Sequence, residues 1–140
     1  LADLVIGAVL VHGAKAPKLI SNALVKQMKS GSVLVDIAID QGGCFEASRP
    51  TTHDDPVYQE EGIIHYCVTN MPGAVPRTST FALNHATMPF ILLLADKGLK
   101  QACLDSAHFL AGVNIAQGQI TYAAVAKQWG YPYVAAQDII

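Results

Sequence analysis

The amino-acid sequence predicts an α/β fold, in which a parallel sheet is followed by a long connecting helix and a small, mainly helical C-terminal part. Apolar runs that end in polar residues or glycine occur three times within residues 4–73, and continuous Val, Ile and Leu are typical of strands buried on both faces. A helical pattern separates the first two runs. Such a strand, helix and strand form a βαβ unit, whose two strands are almost always parallel.

The first βαβ unit is predicted from its apolar runs and its capping residue. Residues 4–11 predict the first strand, and Ser21 is the expected N-cap of a helix over residues 22–29. The second strand begins at Val33 and brings Asp40 to a turn that contains two glycines. We therefore expect Asp40 at the carboxyl edge of the sheet, where ligands bind in open α/β folds.

A loop and a third strand follow. Residues 44–56 are rich in Pro, Thr and Asp and predict a loop, and residues 63–68 predict a strand. Because the carboxyl ends of parallel strands lie at the same edge of a sheet, we expect the segments at the ends of the three predicted strands to lie together at that edge. These segments are residues 9–10, 37–40 and 68–71.

The second half of the chain has a helical pattern. Thr78, Ser79 or Thr80 is the expected N-cap of a long apolar helix that ends near Gly98 and is kinked at Pro89. Three smaller elements complete the prediction: a helix between residues 98 and 112, a hairpin around Gln117-Gly118, and a helix over residues 122–129 with Thr121 as its N-cap.

Composition narrows the class of protein. Of the 140 residues, 51% are apolar and 14% are charged, so we expect apolar surface to be buried against other segments or subunits. The nine Lys and Arg residues are scattered and the net charge is −2, which provides no electrostatic footprint for nucleic acid or for a membrane of anionic lipid. The longest apolar run, residues 90–95, is far shorter than the roughly 20 residues that span a bilayer.

The cysteines indicate the cellular compartment of the protein, and the first residues of the sequence indicate whether it is complete. Three cysteines at wide spacing, without an export signal, favour reduced thiols and a cytoplasmic protein. The sequence begins inside an apolar run and without Met. We therefore expect it to be a piece of a longer protein.

Several familiar chemical motifs are absent from the sequence. It contains no GxGxxG, GxxxxGKS/T or GxSxG pattern, so the strongest phosphate-binding and hydrolase signals are missing. Cys44, His53, His65 and Cys67 could each bind zinc, but no CxxC or HxxxH spacing groups them. We therefore predict no metal site.

Asp40 and Asn70 stand out because each follows the end of a predicted strand. A carboxylate there can accept hydrogen bonds from ribose hydroxyls or exchange a proton with a substrate, and a side-chain amide matches the carboxamide of nicotinamide. Ile37 and Met71 can pack against a planar ring and exclude water from it. Asp36, inside its strand, is interpreted as a structural hydrogen-bonding group. The alternative that Asp40 only forms a turn before a Gly-rich loop stays open.

Six stretches of the sequence together point to a known family: residues 3–11, 14–19, 36–46, 70–76, 78–80 and 86–89. They closely resemble the C-terminal part of bacterial alanine dehydrogenases. The likeness covers nearly the whole chain and is expected to fade after about Asp105. The NAD-binding subunit of proton-translocating transhydrogenase is similar in its Gln-Gly-Gly loop but usually has Glu at the position of Asp40, which favours the dehydrogenase.

The resemblance implies an NAD-dependent enzyme that interconverts L-alanine with pyruvate and ammonia. It implies that Asp40 is the active-site aspartate, that the NAD-binding domain is of Rossmann type and inserted into a substrate domain, and that the protein is a homo-hexamer. The residues implied to contact the cofactor are Val9, Leu10, Ile37, Ala38, Ile39, Asp40, Val68, Thr69, Asn70 and Met71.

The resemblance also implies a domain organisation. Residues 1–76 correspond to the second half of the NAD-binding domain, residues 77–98 to the connecting helix and residues 99–140 to the return to the substrate domain. In the family, the Gly-rich phosphate turn, the substrate-binding Arg and Lys and the catalytic His precede the matched region. Without that missing N-terminal part as a partner, we expect these residues neither to bind NAD tightly nor to turn over alanine. The alternatives that stay open are a transhydrogenase subunit and a non-catalytic assembly module.

Overall fold

The computed structural model describes residues 2–140 and confirms the α/β class, with a parallel-containing sheet, a long helix and several short helices. The chain divides into two compact units, one formed by residues up to 11 and 15–75, the other by residues 12–14 and 76–140. The strands are β1 (Leu4–Gly7), β2 (Val33–Asp36), β3 (Val57–Glu60), β4 (Ile63–Tyr66), β5 (Ile115–Ala116) and β6 (Gln119–Ile120). The α-helices are α1 (Asn22–Val25), α2 (Pro76–Asp105), α3 (Ala107–Gly112) and α4 (Ala123–Trp129), and 3-10 helices occupy Ile37–Gln41, Met71–Ala74 and Ala136–Asp138.

The sheet of the first unit has the strand order β1-β2-β4-β3. β1 pairs with β2 in parallel, with Leu4 opposite Val33, and β2 pairs with β4 in parallel, with Val33 opposite Ile64. The predicted βαβ unit is therefore confirmed. Because the three parallel strands are neighbours, the segments that follow them leave the sheet at the same edge.

β3 is a strand that the sequence prediction missed. It pairs antiparallel with β4 through a turn at Glu61 and Gly62, whose φ values are both positive, 52° and 76°. A two-residue turn of this kind fits the twist of a hairpin. β3 was not predicted because only Val57 is apolar and aliphatic in its four residues, so it lacks a strong strand pattern.

The three parallel strands end two to four residues earlier than predicted. After β2 the chain enters the 3-10 helix Ile37–Gln41, although its apolar residues resemble a continued strand. The carboxylate of Asp36 explains the change of direction, because it accepts hydrogen bonds from the backbone N–H groups of Cys44 and Phe45 at 2.8 and 3.3 Å. These contacts bring the chain back to the end of β2.

The crossover between β1 and β2 contains a shorter helix than predicted. Ser21 caps α1 as predicted, since its Oγ accepts a hydrogen bond from the N–H of Leu24 at 3.3 Å. The helix ends at Val25, four residues early. Beyond it the backbone turns through hydrogen bonds from Gln27 to Leu24 and from Met28 to Val25, both of 3.0 Å.

The core of the first unit holds the Gly-rich turn against the sheet. Leu34, Phe45 and Ile63 are at most 1% exposed. A Cβ added at Gly7 would lie 2.3 Å from the sulfur of Cys44 and 2.7 Å from the ring of Phe45. The absence of a side chain at the end of β1 therefore allows the residues after the turn to pack directly against that strand.

The second unit is built on α2. Helical dihedral angles continue through Pro89 and break at Gly98, where φ is 72° and ψ is 166°. The helical segment that begins at Pro76 therefore ends near Gly98, as predicted, and a second helical segment continues from there to Asp105. The prediction that Thr78, Ser79 or Thr80 is the N-cap was wrong, because the helix already includes these residues and starts at a proline, which suits the first turn of a helix.

The smaller elements of the second unit agree with the prediction in part. The hairpin of β5 and β6 is confirmed, and its turn at Gln117-Gly118 has positive φ at both residues. The helix expected between residues 98 and 112 is divided at Ser106, whose φ is −146°. Thr121 is not the cap of α4, since Tyr122 holds that position and the hydroxyl of Thr121 donates to the carbonyl of Val113 at 2.8 Å.

Candidate functional site

The candidate site is the edge of the sheet where β1, β2 and β4 end. Residues 8–11 follow β1, the 3-10 helix Ile37–Gln41 follows β2, and residues 67–71 follow β4. Leu10 is 63% exposed and Ile37 is 51% exposed, so this edge presents apolar side chains that the first unit itself does not cover. A pattern of this kind is typical of a ligand site in an open α/β sheet.

Asp40 is presented by a helical turn rather than by the tip of a strand. Ala38 and Ile39 are buried in the same 3-10 helix, which anchors it, while Asp40 is exposed. The side chain of Asp40 makes no hydrogen bond or ion pair with any residue in the described part of the chain. Its carboxylate oxygens are therefore available to a ligand.

Asp36 is fully buried and forms the internal support of the turn. Besides the N–H groups of Cys44 and Phe45, its carboxylate accepts a hydrogen bond from the hydroxyl of Ser48 and contacts the Cys44 thiol at 3.4 Å. Burial, reinforced by the Asp36 charge, raises the pKa of Cys44 to about 11, so this thiol stays protonated at neutral pH. The expectation that Asp36 is a structural hydrogen-bonding group is confirmed.

The two glycines after Asp40 have backbone conformations that suit glycine. Their φ values are 91° at Gly42 and 74° at Gly43. A Cβ on Gly43 would lie 2.8 Å from a carboxylate oxygen of Asp36 and 2.6 Å from the Cβ of Ser48. A side chain at Gly43 would therefore both strain the backbone and disturb the Asp36 network.

The side chain of Gln41 joins two of the three segments. Its amide nitrogen donates to the carbonyl of Val11 at 3.3 Å, and its amide oxygen accepts from the N–H of Val11 at 3.4 Å. The segment after β1 is thus tied to the turn that carries Asp40. Sequence reasoning missed this role because the two residues are 30 positions apart.

The segment after β4 is held by a residue of the long loop. Asn70 adopts a left-handed conformation, with φ 54° and ψ 52°, and its carbonyl accepts from the N–H of Gly73 at 2.8 Å. The Nε2 atom of His53 lies 2.9 Å from the same carbonyl. His53, considered above as a zinc ligand, instead supports the turn that places Asn70 at the edge.

The remaining candidate groups do not assemble into a metal site within residues 2–140, where no three His, Cys, Asp or Glu side chains lie close enough to hold an ion. His65 is fully buried in β4 and stacks on Tyr58 with ring centroids 4.8 Å apart. Over the same residues, no helix is both long and apolar enough to cross a membrane.

A cavity of about 480 Å³ lies elsewhere, in the second unit. It is lined mainly by apolar side chains, including Phe90, Leu94, Leu99 and Phe109. None of the residues predicted to bind a cofactor lines it. Their assignment to catalysis and cofactor binding therefore depends on the strand edge and stays a prediction.

Known proteins resemble the chain along its whole length. It is 60% identical over 139 residues to an alanine dehydrogenase of Halomonas elongata and 58% identical over 140 residues to one of Lysinibacillus sphaericus. Each alignment covers 99% of this chain and therefore extends beyond Asp105. The chain spans about 38% of the length of these relatives.

Solved structures give the same picture. An L-alanine dehydrogenase matches 92% of the chain with a TM-score of 0.75 and 48% identity, and the match covers 36% of that protein. A transhydrogenase from Sinorhizobium meliloti matches 56% of the chain with a TM-score of 0.51 and 29% identity, covering 22% of that protein. The family model described as alanine dehydrogenase/PNT, C-terminal domain, matches residues 1–123. With most of its length matched by that model, the chain belongs to the alanine dehydrogenase/PNT C-terminal domain family.

Proposed function

We propose that this chain is the C-terminal part of an NAD-dependent alanine dehydrogenase, which converts L-alanine, water and NAD⁺ into pyruvate, ammonium, NADH and a proton, and runs in either direction. The observation that carries the proposal is the likeness to alanine dehydrogenases over 99% of the chain, at up to 60% identity among the relatives compared. The likeness to a transhydrogenase is weaker in identity, in TM-score and in coverage.

The residues at the strand edge fit a nicotinamide cofactor. Leu10 and Ile37 are exposed apolar side chains at this edge. Met71, in the segment that follows β4, is half-buried. Apolar surface of this kind suits the faces of a planar ring, while the exposed Asp40 and Asn70 supply a carboxylate and an amide. We propose the cofactor-binding set named from the family resemblance, namely Val9, Leu10, Ile37, Ala38, Ile39, Asp40, Val68, Thr69, Asn70 and Met71.

A bound NAD⁺ would supply the acceptor for the hydride of the alanine α-carbon. In this proposal Asp40 accepts hydrogen bonds from ribose or exchanges a proton with the substrate, since its carboxylate has no partner within residues 2–140. Asn70 both donates to and accepts from the nicotinamide carboxamide. Ile37 and Met71 exclude water from the reacting face.

The proposal extends to the protein as a whole. Because the chain spans about 38% of its relatives, we infer that the groups for phosphate binding and substrate binding lie in the rest of a longer protein. We infer a cytoplasmic location, supported by three cysteines that are all free and buried. A homo-hexamer, expected from the resemblance, is supported by exposed apolar residues along α2, among them Phe81, Leu83, Phe90 and Leu92.

An assay of the complete protein tests the function. We expect NADH to form, measured by its absorbance, when L-alanine and NAD⁺ are supplied, and alanine to form from pyruvate, ammonium and NADH. Hydride transfer from NADPH to an NAD⁺ analogue, without any need for alanine, would identify a transhydrogenase subunit instead. If neither reaction is detected, the remaining alternative is that the chain is part of a non-catalytic assembly module.

A further inference from the structure

The turn that contains Asp40 is hydrogen-bonded to the segment of residues 16–19. The four successive carbonyls of residues 41–44 each accept a hydrogen bond from that segment. The two outer bonds come from the backbone, from Ala16 to Gln41 at 3.0 Å and from Leu19 to Cys44 at 2.7 Å. Residues 16–19 thus contact the whole exit of the turn.

The two inner carbonyls are served by one side chain. The Nζ atom of Lys18 donates to the carbonyl of Gly42 at 2.7 Å and to that of Gly43 at 2.9 Å. Pro17, which precedes it, has no N–H to offer. An ammonium group has three donors and its hydrogen bonds are charge-assisted, so a single lysine can hold two adjacent carbonyls firmly. Within the described residues Lys18 forms no ion pair.

The carbonyls that Lys18 holds belong to the exit of the helical turn that presents Asp40. The N–H of Gly42 donates to Ile39 at 2.9 Å and the N–H of Gly43 donates to Ala38 at 3.0 Å, which closes the turn. Both glycines have positive φ, and glycine adopts positive and negative φ about equally readily. Steric preference at these two residues therefore does not fix the direction of the chain, and hydrogen bonds from other segments have to do so.

We propose that Lys18 is a positioning residue for Asp40: by bridging the carbonyls of Gly42 and Gly43, its ammonium fixes the exit of the turn and with it the orientation of the Asp40 carboxylate. Asp36 holds the same turn from inside the core, and the N–H groups of Ala16 and Leu19 hold the two outer carbonyls of its exit. Lys18 is the side chain that holds the two carbonyls between them. The kinetic consequence rests on the proposed function, whereas the effect on the turn does not.

Three variants of the complete protein test the proposal. Lys18→Met keeps most of the aliphatic length and removes the donors, and Lys18→Arg keeps charge and donors. Lys15→Met is the matched control, because Lys15 is also an exposed lysine of this loop and makes no hydrogen bond or ion pair with residues 2–140. The measurements are kcat and KM for alanine oxidation and the rates of amide hydrogen exchange for residues 42–44, compared with those of β4.

In Lys18→Met we expect exchange at residues 42–44 to accelerate roughly 10- to 100-fold, the effect of losing charge-assisted hydrogen bonds, while β4 is unchanged. We expect kcat to fall at least about tenfold with a smaller change in KM for alanine. A misplaced carboxylate reduces the stabilisation of the transition state more than it reduces the affinity for alanine. Lys18→Arg should recover most of the rate, and Lys15→Met should match the wild type.

The proposal is overturned if residues 42–44 exchange at the wild-type rate in Lys18→Met, or if they exchange faster while kcat is unchanged. Equal acceleration in β4 would also overturn it, because Lys18 would then support the fold generally. If the wild-type protein makes no NADH from alanine, the proposed function fails, and the exchange comparison with Lys15→Met alone decides whether Lys18 holds the turn.

Discussion

Two aspartates four positions apart have opposite surroundings. Asp36 is fully buried and accepts hydrogen bonds from two backbone N–H groups and a hydroxyl, whereas Asp40 is exposed and unpaired within residues 2–140. A carboxylate whose oxygens are already occupied in the core supports structure, and one that is free at a sheet edge can serve a ligand. This division of roles follows from where β2 ends.

His65 is the residue whose charge state most directly links pH to stability. It is fully buried, and neither ring nitrogen has a hydrogen-bond partner among the described residues. Burial lowers the pKa of His65 below its ordinary value of 6.5, and the charge of Arg49 acts in the same direction against the opposing charges of Glu60 and Asp36. The folded protein therefore keeps this imidazole neutral.

The variant His65→Phe tests this linkage. Because the unfolded chain binds a proton more readily than the folded one, wild-type stability is fully present above about pH 6.5 and is lost as the pH falls below it. Phenylalanine keeps the stack on Tyr58 but does not titrate. We expect the wild type to lose up to about 1.4 kcal/mol per pH unit relative to His65→Phe, measured by urea unfolding between pH 7.5 and 5.

The exposed His85 provides the control for that experiment. His85→Gln should leave the pH dependence of the free energy of unfolding as it is in the wild type. If His65→Phe had the same pH profile as the wild type, the buried imidazole would have no part in acid sensitivity.

At the scale of elements, the break in α2 depends on one glycine. Gly98, with φ 72° and ψ 166°, lies in a region of backbone conformation that is essentially restricted to glycine. An added Cβ would meet nothing within 4 Å. A side chain at residue 98 would therefore destabilise the fold through strain in the backbone dihedral angles and not through a steric clash with neighbouring atoms.

We expect Gly98→Ala to lower the free energy of unfolding by about 1–3 kcal/mol, measured by urea unfolding. Gly112→Ala is the matched control, because Gly112 also has open space around an added Cβ but does not have a positive φ. It should be neutral or slightly stabilising. Equal effects of the two substitutions would show that the conformation at Gly98 is not a constraint.

The elements that sequence predicted best are those with strong local patterns. β2 begins with three successive apolar residues and β4 with two, and the hairpin turn at Gln117-Gly118 contains a glycine, which suits positive φ. The 3-10 helix Ile37–Gln41 could not be predicted, because its direction is set by the buried Asp36 carboxylate rather than by its own residues. β3 lacked an apolar pattern and depends on its pairing with β4.

The same distinction applies to the candidate site. Asp40 and Asn70 could be selected because polar residues after apolar runs mark strand ends. Gln41, Lys18 and His53 could not, because their partners lie 17 to 30 positions away in sequence and are brought close only by the fold. Long-range hydrogen bonds of this kind leave no local signal.

At the scale of the whole molecule, the proposed site lies at one edge of the first unit. Three neighbouring parallel strands end there, and hydrogen bonds from Gln41, Lys18 and His53 hold the segments that follow them. The chain spans about 38% of its alanine dehydrogenase relatives, so this edge supplies one side of the proposed site. Its contribution is best tested at Asp40.

The most direct measurement compares kcat for alanine oxidation in the complete protein with that of Asp40→Asn, a variant of nearly equal size that has no carboxylate. Asp55→Asn, which changes another exposed aspartate, is the control. We predict that kcat falls roughly 10²- to 10⁴-fold in Asp40→Asn and stays at the wild-type value in the control, with thermal unfolding unchanged in both. Wild-type kcat and KM in Asp40→Asn would contradict the account and leave Asp40 as a turn residue only.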